Sequence, residues 1–401
     1  MEFGSMSCER KMKICHVITR MIVGGAQENT LLTIKGHIEK GHEVVLVTGF
    51  SPGREGELLK NVEMPPFPIV EIPEMVREIS PLKDLKALSR LREYFKREKF
   101  DVVHTHSSKA GIIGRIAARQ AGVPVVVHTV HGQAFHAYEK PWKKMLYIAA
   151  EWLAAKYCDK IYAVAQAMID QCVEAKVAPR EKYMVVYSGM DTAAFANAKR
   201  DPELRKSLGL PEEAKVIVTV ARLFPMKGYE EMLPAAARLA KEFPDLHFLP
   251  VGDGPMFDEL QKQIADLGLT DRFHFAGLVP PHRVCDYIAQ ADLLWHLSLH
   301  EGLPRAVVQA LAVGIPAIGY KLDGTPEVVL NGETGFVTAP QDVDAVVEHC
   351  RQLLSDKVLR QKMGENGKAL VIDRFAWRRM ADILEEEFKQ RLEAKTAKQK
   401  H

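Results

Sequence analysis

The amino-acid sequence predicts an α/β protein of two Rossmann-like domains, and three observations carry that prediction. Its 401 residues exceed what one hydrophobic core usually fills. Short apolar runs alternate with amphipathic stretches from residue 13 onward, and the alternation restarts at residue 215. Residues 293–320, finally, read as a complete strand–helix–strand unit. The run Leu293-Leu294-Trp295-His296-Leu297 is too short for a helix and suits a buried strand of a parallel sheet. Pro304 falls at the start of a helix over 305–313, where a missing N–H has no intrahelical partner to lose. Gly314-Ile315-Pro316 stops that helix before a second strand over 317–320. This order puts the loop Glu301-Gly302-Leu303-Pro304 at the carboxyl edge of a sheet, where open α/β folds bind ligands. Exposed N–H groups at the helix start suit a phosphate, and the Glu301 carboxylate suits sugar hydroxyls. Gln309, two turns on, offers a further polar contact; the plainer alternative is a helix cap followed by a solvated glutamine.

Composition excludes several classes. With 47% apolar and 26% charged residues the chain is an ordinary globular one, not a disordered one. The net charge of +2 hides a mildly basic first half, a weak attraction for anionic membrane surfaces or phosphorylated acceptors, and no nucleic-acid partner is expected. Cys8, Cys15, Cys158, Cys172, Cys285 and Cys350 show no CxxC spacing and fit a reducing compartment. No run is long and apolar enough to span a bilayer, and no secretory leader opens the chain. The expected location is the cytoplasm, with peripheral contact at the inner face of a membrane as a further option. Residues 1–5, MEFGS, read as a cloning remnant ahead of a native start at Met6.

In chain order, 13–19 reads as the first strand, Gly24-Gly25 as a loop, and 26–40 as a helix. Strand, glycine loop and helix let backbone approach a phosphate, yet neither GxGxxG nor GxxxxGK[ST] is present, which argues against a dinucleotide-binding dehydrogenase and a P-loop enzyme. A turn needing positive φ is the competing explanation of the glycine pair. Residues 43–48 form the next strand, and the proline-rich 65–73 a surface connection. A helix over 81–99 carries Leu82, Leu85, Leu88, Leu91 and Phe95, expected in the core. Strands over 101–106 and 123–128 each end in a polar loop, the second holding His131-Gly132 just beyond the sheet. The cluster of His104, His106, His128, His131 and His136 invites a metal reading, but there is no HExxH helix and alternation sends neighbours to opposite faces, so no metal site is expected. Residues 140–156 mix Trp142, Tyr147 and Trp152 with lysines as an interfacial helix does; packing on the domain core is the preferred reading. A last strand over 183–187 leads to Ser188-Gly189-Met190-Asp191, taken as the domain boundary.

The second half opens with a strand over 215–221 that runs into Arg222-Leu223-Phe224-Pro225-Met226-Lys227-Gly228. Two permanent cations five residues apart in a post-strand loop make a clamp for a diphosphate. A strand over 246–251 turns at Gly252-Asp253-Gly254-Pro255 into a helix, and 273–278 supplies another strand. Glu327 is expected to open the next helix and compensate its dipole. Helices follow over 342–354, 358–370 and 375–392, then a polar tail. No repeat or low-complexity tract interrupts the chain.

Taken together and in this order, RLFPMKG, VGDGP and EGLPRAVVQALAVGIPAIG resemble the signature of the retaining GT-B glycosyltransferases of family 4. The family signature is Glu, seven residues, Glu; here the second position is Gln309, which keeps an acceptor and adds donors. The resemblance implies two Rossmann-like domains facing across a cleft, with residues 6–190 binding acceptor, 191–374 binding the nucleotide-sugar donor, and 375–401 forming a crossover helix and tail. It implies catalytic roles for Arg222, Lys227, Glu301 and His131. Donor contacts would come from Gly24, Gly25, Gly252, Gly302, Leu303, Pro304 and Gln309. The implied activity is transfer, with retention, of a sugar from a UDP- or GDP-sugar to a glycan, lipid or small-molecule acceptor, with no metal and no cofactor. Two rivals share the architecture: a nucleotide-sugar epimerase, and a non-catalytic nucleotide-sugar binder signalled by Gln309.

Overall fold

The computed structural model describes residues 11–50, 58–59, 64–136 and 138–399; the proposed cloning remnant lies outside them. Contacts divide the chain into two compact units. The first comprises Met1–Val164, Ile169–Val186 and Met380–His401, and the second Ala165–Met168 and Tyr187–Arg379.

In the first unit the strands are β1 (Lys13–Ile18), β2 (Glu43–Thr48), β3 (Ile69–Glu71), β4 (Val102–His106), β5 (Val125–Val130), β6 (Lys160–Ala163) and β7 (Tyr183–Val185). They form one parallel sheet in the order β3-β2-β1-β4-β5-β6-β7. Runs such as VVLV and VVV are buried on both faces because helices cover both, the usual condition of a parallel sheet. The chain order reverses between β1 and β4, so ligand-facing residues are expected beyond the carboxyl ends of those strands. The last helix, Trp377–Gln399, enters this unit through Met380, Leu384, Phe388 and Leu392, which pack with Met12, Ile14, Val102 and Val125.

The second unit has β8 (Lys215–Val220), β9 (Leu246–Val251), β10 (Leu293–His296), β11 (Ala317–Tyr320) and β12 (Gly335–Thr338), parallel in the order β12-β11-β10-β8-β9. Its order reverses between β8 and β10. Trp295 stacks on Phe248, and its indole Nε1–H donates to Cys350 Sγ at 2.9 Å, joining the sheet to a covering helix.

Four expectations need correction. The proline-rich connection contains the edge strand β3, paired with β2 from Ile69 opposite Leu46; an edge tolerates the neighbouring prolines because one side of the strand needs no partner. Residues 273–278 form no regular strand but run beside β9 through parallel bridges at Phe273 and Gly277. Leu82 and Leu85 of the helix Pro81–Glu98 are exposed, and the buried stripe is Ala87, Leu91 and Phe95. On a 3.6-residue helix a repeated step of three turns away from a given face faster than a repeated step of four does, so the run of threes leaves the buried stripe first. The helix Pro141–Ala155 is not packed in the core: only Ala154 and Ala155 are buried, while Trp142, Met145, Leu146, Trp152 and Leu153 are exposed.

Candidate active site

The carboxyl ends of β8 and β10 bring two of the predicted residues together. Lys227 Nζ lies 2.5 Å from Glu301 Oε1 and 3.4 Å from Ser298 Oγ. Local backbone explains the contact. Ser298 Oγ–H and Leu299 N–H both donate to the Met226 carbonyl, at 3.2 and 2.9 Å, tying the lysine loop to the strand that leads to Glu301. Gly228, at φ 83°, permits this approach, because a Cβ there would sit 2.2 Å from the Leu297 carbonyl oxygen. Burial works against ionisation of Glu301, but the Lys227 ammonium prevails and holds the carboxyl below its ordinary range. The Asp323 carboxylate accepts from Glu301 N–H at 2.7 Å and so fixes the loop from its other side.

Five of the predicted donor residues, Gly252, Gly302, Leu303, Pro304 and Gln309, belong to this unit. Gly252, at φ 145°, lies so close to the Ala221 carbonyl that a Cβ would meet it at 2.0 Å. Leu223 N–H donates to the Asp253 carbonyl at 3.0 Å, holding the VGDGP turn against the arginine loop. Arg222 is exposed, with its guanidinium 4.7 Å from the centre of the Phe224 ring. Among the described residues no ion pair joins it to Lys227 and Glu301. Gly302, Leu303 and Pro304 are buried, Pro304 is the N-cap of the helix Arg305–Val313, and Gln309 is half-buried on it.

Glu327 departs from expectation. It lies in the single 3-10 turn Thr325–Glu327 and opens no α-helix. Its two carboxylate oxygens instead accept from the backbone N–H groups of Gln166 and Ala167, each at 2.9 Å, and from the Tyr187 hydroxyl at 3.2 Å. The residue does meet orphan amides at a helix start, but of a segment 160 positions earlier, which no local pattern reveals.

In the first unit, Gly25 begins the helix Gly25–Glu39 and Gly24 caps it in extended backbone, so neither glycine answers a need for positive φ. His131 lies past β5, with Nε2 3.1 Å from His106 Nδ1. Sequence reasoning missed what stands behind it. His104 and His106 are two apart on β4 and therefore share a face, and His16 stands opposite His104 on β1. The three imidazoles are wholly buried, with nitrogens within 4.8 Å of one another. Burial alone pushes His16 down to about 3 and, as the largest cause, holds His37, His104 and His106 well below their ordinary range, so all are neutral.

Comparison with known proteins gives the family. The family model for glycosyltransferase family 4 matches residues 23–194 and that for glycosyl transferases group 1 matches residues 200–370. A UDP-Gal:alpha-D-GlcNAc-diphosphoundecaprenol alpha-1,3-galactosyltransferase of Escherichia coli is 32% identical over 373 residues, covering 92% of this chain and 94% of its own length. The chain is a family 4 glycosyltransferase. This transferase is also 28% identical over 342 residues to N-acetyl-alpha-D-glucosaminyl L-malate synthase of Bacillus anthracis, covering 84% of this chain and 86% of that one. Anabaena HepE, solved with UDP-glucose, matches with a TM-score of 0.80 and 24% identity over 94% of this chain and all of that one. Sucrose-phosphate synthase of Thermosynechococcus elongatus matches at 0.83 with 18% identity over 96% of this chain and all of its own. The transferase has the GT-B fold, and it is an enzyme that moves a sugar from a nucleotide-sugar donor to an acceptor.

Proposed function

We propose that this transferase moves a hexose from a UDP-sugar, with retained anomeric configuration, to a sugar carried on a lipid diphosphate at a membrane face. The observation that carries the donor half is the Lys227–Glu301 pair beside the start of the helix Arg305–Val313, at the point where the strand order of the second sheet reverses. A diphosphate placed there would meet the Lys227 ammonium, the Arg222 guanidinium and the helix's leading amides. These groups stabilise negative charge as it grows on the leaving group, which is where electrostatic catalysis acts most strongly. Glu301, held anionic by Lys227, would accept hydrogen bonds from sugar hydroxyls. Gln309 would take the ribose contact as an amide. His131 would hydrogen-bond an oxygen of the sugar or acceptor. No step requires a covalent nucleophile or a metal; the leaving phosphate would accept the acceptor's proton.

The acceptor half rests on the galactosyltransferase relative, whose name gives a GlcNAc-diphosphoundecaprenol acceptor, and on the exposed helix Pro141–Ala155. Trp142 and Met145, 61% and 72% exposed, stand beside Lys143 and Lys144. Lys156 lies 3.3 Å above the Trp152 ring. Lys156, Lys176 and Lys182 line an open cavity of about 370 Å³ with Trp152 and Val173. Aromatic and aliphatic groups among lysines suit an anionic lipid surface. No described helix is long and apolar enough to cross a membrane, so the contact would be peripheral.

The test is incubation of UDP-hexoses with a synthetic polyprenyl-diphosphate GlcNAc, the product's anomeric coupling being read by NMR. An α-linked disaccharide-lipid from an α-linked donor supports the reading. An altered sugar formed from donor without acceptor would show an epimerase instead, and binding of UDP with no turnover a non-catalytic binder. Flotation with vesicles of anionic phospholipid should fail for Trp142→Ser/Trp152→Ser while soluble-acceptor turnover persists; equal flotation of both forms removes the membrane half.

A further inference from the structure

The Lys227 ammonium has two anions to serve. It holds Glu301 Oε1 at 2.5 Å, and as a donor-binding group it also meets a diphosphate. An ammonium turned to a carboxylate is largely neutralised, so its full charge reaches the diphosphate only when it swings away, which its flexible stem allows. Glu301 Oε1, on a side chain only 23% exposed, then loses its counter-charge. A carboxylate so stranded takes up a proton or finds another donor.

His296, the last residue of β10, stands where that donor is needed. Strand alternation turns Trp295 and Leu297 into the apolar core and His296 to the opposite face. Its Nε2 lies 3.9 Å from the same oxygen, Glu301 Oε1, which is too far for a hydrogen bond. That nitrogen is buried with no hydrogen-bond partner, a condition uncommon enough to need a reason. Among the described residues, Lys227 and His296 are the basic side chains beside the Glu301 carboxylate.

Burial outweighs the pull of Glu301 and holds the His296 imidazole below its ordinary range, so the ring carries a single proton. On Nδ1 that proton would leave a lone pair of Nε2 facing a carboxylate, whereas on Nε2 it presents an N–H to the negative charge, and electrostatics favour the second. Resting on the reading of Lys227 as a diphosphate-binding group, we propose that His296 is a positioning residue: when Lys227 swings to the diphosphate, the His296 Nε2–H closes by about 1 Å onto Glu301 Oε1 and keeps the carboxylate in place, leaving Oε2 for a sugar hydroxyl. The resting structure thus holds a donor unused because the lysine occupies its acceptor.

The test uses the full-length protein labelled with 15N-histidine, His296 being assigned by its loss in the variants below. Long-range nitrogen–proton correlation spectra should show it protonated on Nε2. Saturating UDP, which carries the diphosphate, should move that proton downfield as its hydrogen bond shortens, and UMP, which lacks the second phosphate, should not. His296→Leu should lower kcat for sugar transfer about tenfold, the worth of one hydrogen bond, with the Kd for UDP unchanged. His296→Gln, which can place an amide N–H where Nε2 stood, should recover most of the loss. In a Glu301→Gln background His296→Leu should cost little more, because it acts through the carboxylate. A proton on Nδ1, or an Nε2 signal indifferent to saturating UDP, overturns the inference even if one variant fails to fold. So do a leucine variant as active as wild type, a glutamine variant no better than leucine, and additive losses in the double variant. Unchanged turnover and UDP affinity in Lys227→Ala strike the reading of the site itself, whereas the wrong tautomer in an enzyme that depends on Lys227 strikes only the inference.

Discussion

The two units end their sheets in opposite kinds of polar chemistry. At the β1–β4 edge of the first, burial strips charge from a group of histidines, which satisfy one another as neutral donors and acceptors. At the β8–β10 edge of the second, an ammonium and a carboxylate form an ion pair, each 22–23% exposed, and the ammonium holds the carboxyl below its ordinary range. Neutral imidazoles packed side by side hold geometry without carrying charge. A partly exposed ion pair keeps charge where a charged ligand can exchange with it. The contrast teaches which half should govern rate through electrostatics and which through orientation.

The largest effect should follow removal of charge from the second unit. Lys227→Ala should lower kcat by about a thousandfold, roughly 4 kcal/mol, as for other groups that meet charge developing in a transition state. It should also strand Glu301, whose carboxyl then rises toward its ordinary range. Arg222→Ala should cost less, since Arg222 lies exposed against Phe224 and outside the ion pair. Initial rates with labelled donor check both, and a Lys227→Ala enzyme within about threefold of wild type would end the electrostatic account.

The next effect concerns how the charged edge is built. Gly228→Ala forces a side chain into left-handed backbone and a Cβ against the Leu297 carbonyl at 2.2 Å. Destabilisation of about 2–4 kcal/mol is expected from strain and overpacking combined. Thermal denaturation measures it, and an unchanged Tm would mean that the Lys227 loop is not held by that contact.

A charged cluster in the first unit offers a comparison. Burial works against the charge of Glu385, but hydrogen bonds from Lys40, Lys389 and His42 hold its carboxyl down to about 2 from 4.5. A folded pKa below the unfolded one adds stability that is complete above about pH 4.5 and disappears as pH falls toward 2. Glu385→Gln should therefore cost up to about 3 kcal/mol at pH 7, since each tenfold change in proton affinity between the folded and unfolded chains is worth about 1.4 kcal/mol. In chemical denaturation the gap between the two proteins should close as pH falls from 4.5 to about 2. A gap that is constant with pH would assign the loss to packing.

How much of this was legible beforehand follows from the range of the forces involved. Apolar runs and glycine or proline stops are local, so the helix Arg305–Val313 and the strands Glu43–Thr48 and Ala317–Tyr320 lie where the pattern puts them. A motif in each of two loops likewise announces Lys227 and Glu301, although their 2.5 Å contact depends on two strands becoming neighbours. What stayed hidden depends on partners far along the chain. Glu327 meets amides at Gln166 and Ala167, and His16 meets His106 ninety positions away. Alternation argued against a histidine cluster, yet the two-residue step from His104 to His106 keeps one face, and that step was the available signal. The exposed face of the helix Pro141–Ala155 escaped for another reason: an amphipathic period says that a face is apolar, not what covers it.

The smallest expected effect concerns Gln309, where the resemblance drawn from the sequence puts a glutamate. Gln309 is half-buried on the helix Arg305–Val313, and Gln309→Glu restores the signature carboxylate at nearly constant volume. If the residue accepts hydrogen bonds from a ribose, an anion accepts them more strongly than an amide, by about 1 kcal/mol. The KM for UDP-sugar should fall about fivefold with kcat nearly constant, because ribose contacts are equal in ground and transition states. The added negative charge works the other way through repulsion of the diphosphate, and that effect weakens with salt. Measuring KM at low and high ionic strength separates the two: improvement that grows with salt supports a ribose contact at position 309. A KM indifferent to the substitution at both ionic strengths would leave Gln309 a solvated helix residue and the donor edge resting on Lys227, Glu301 and Arg222 alone.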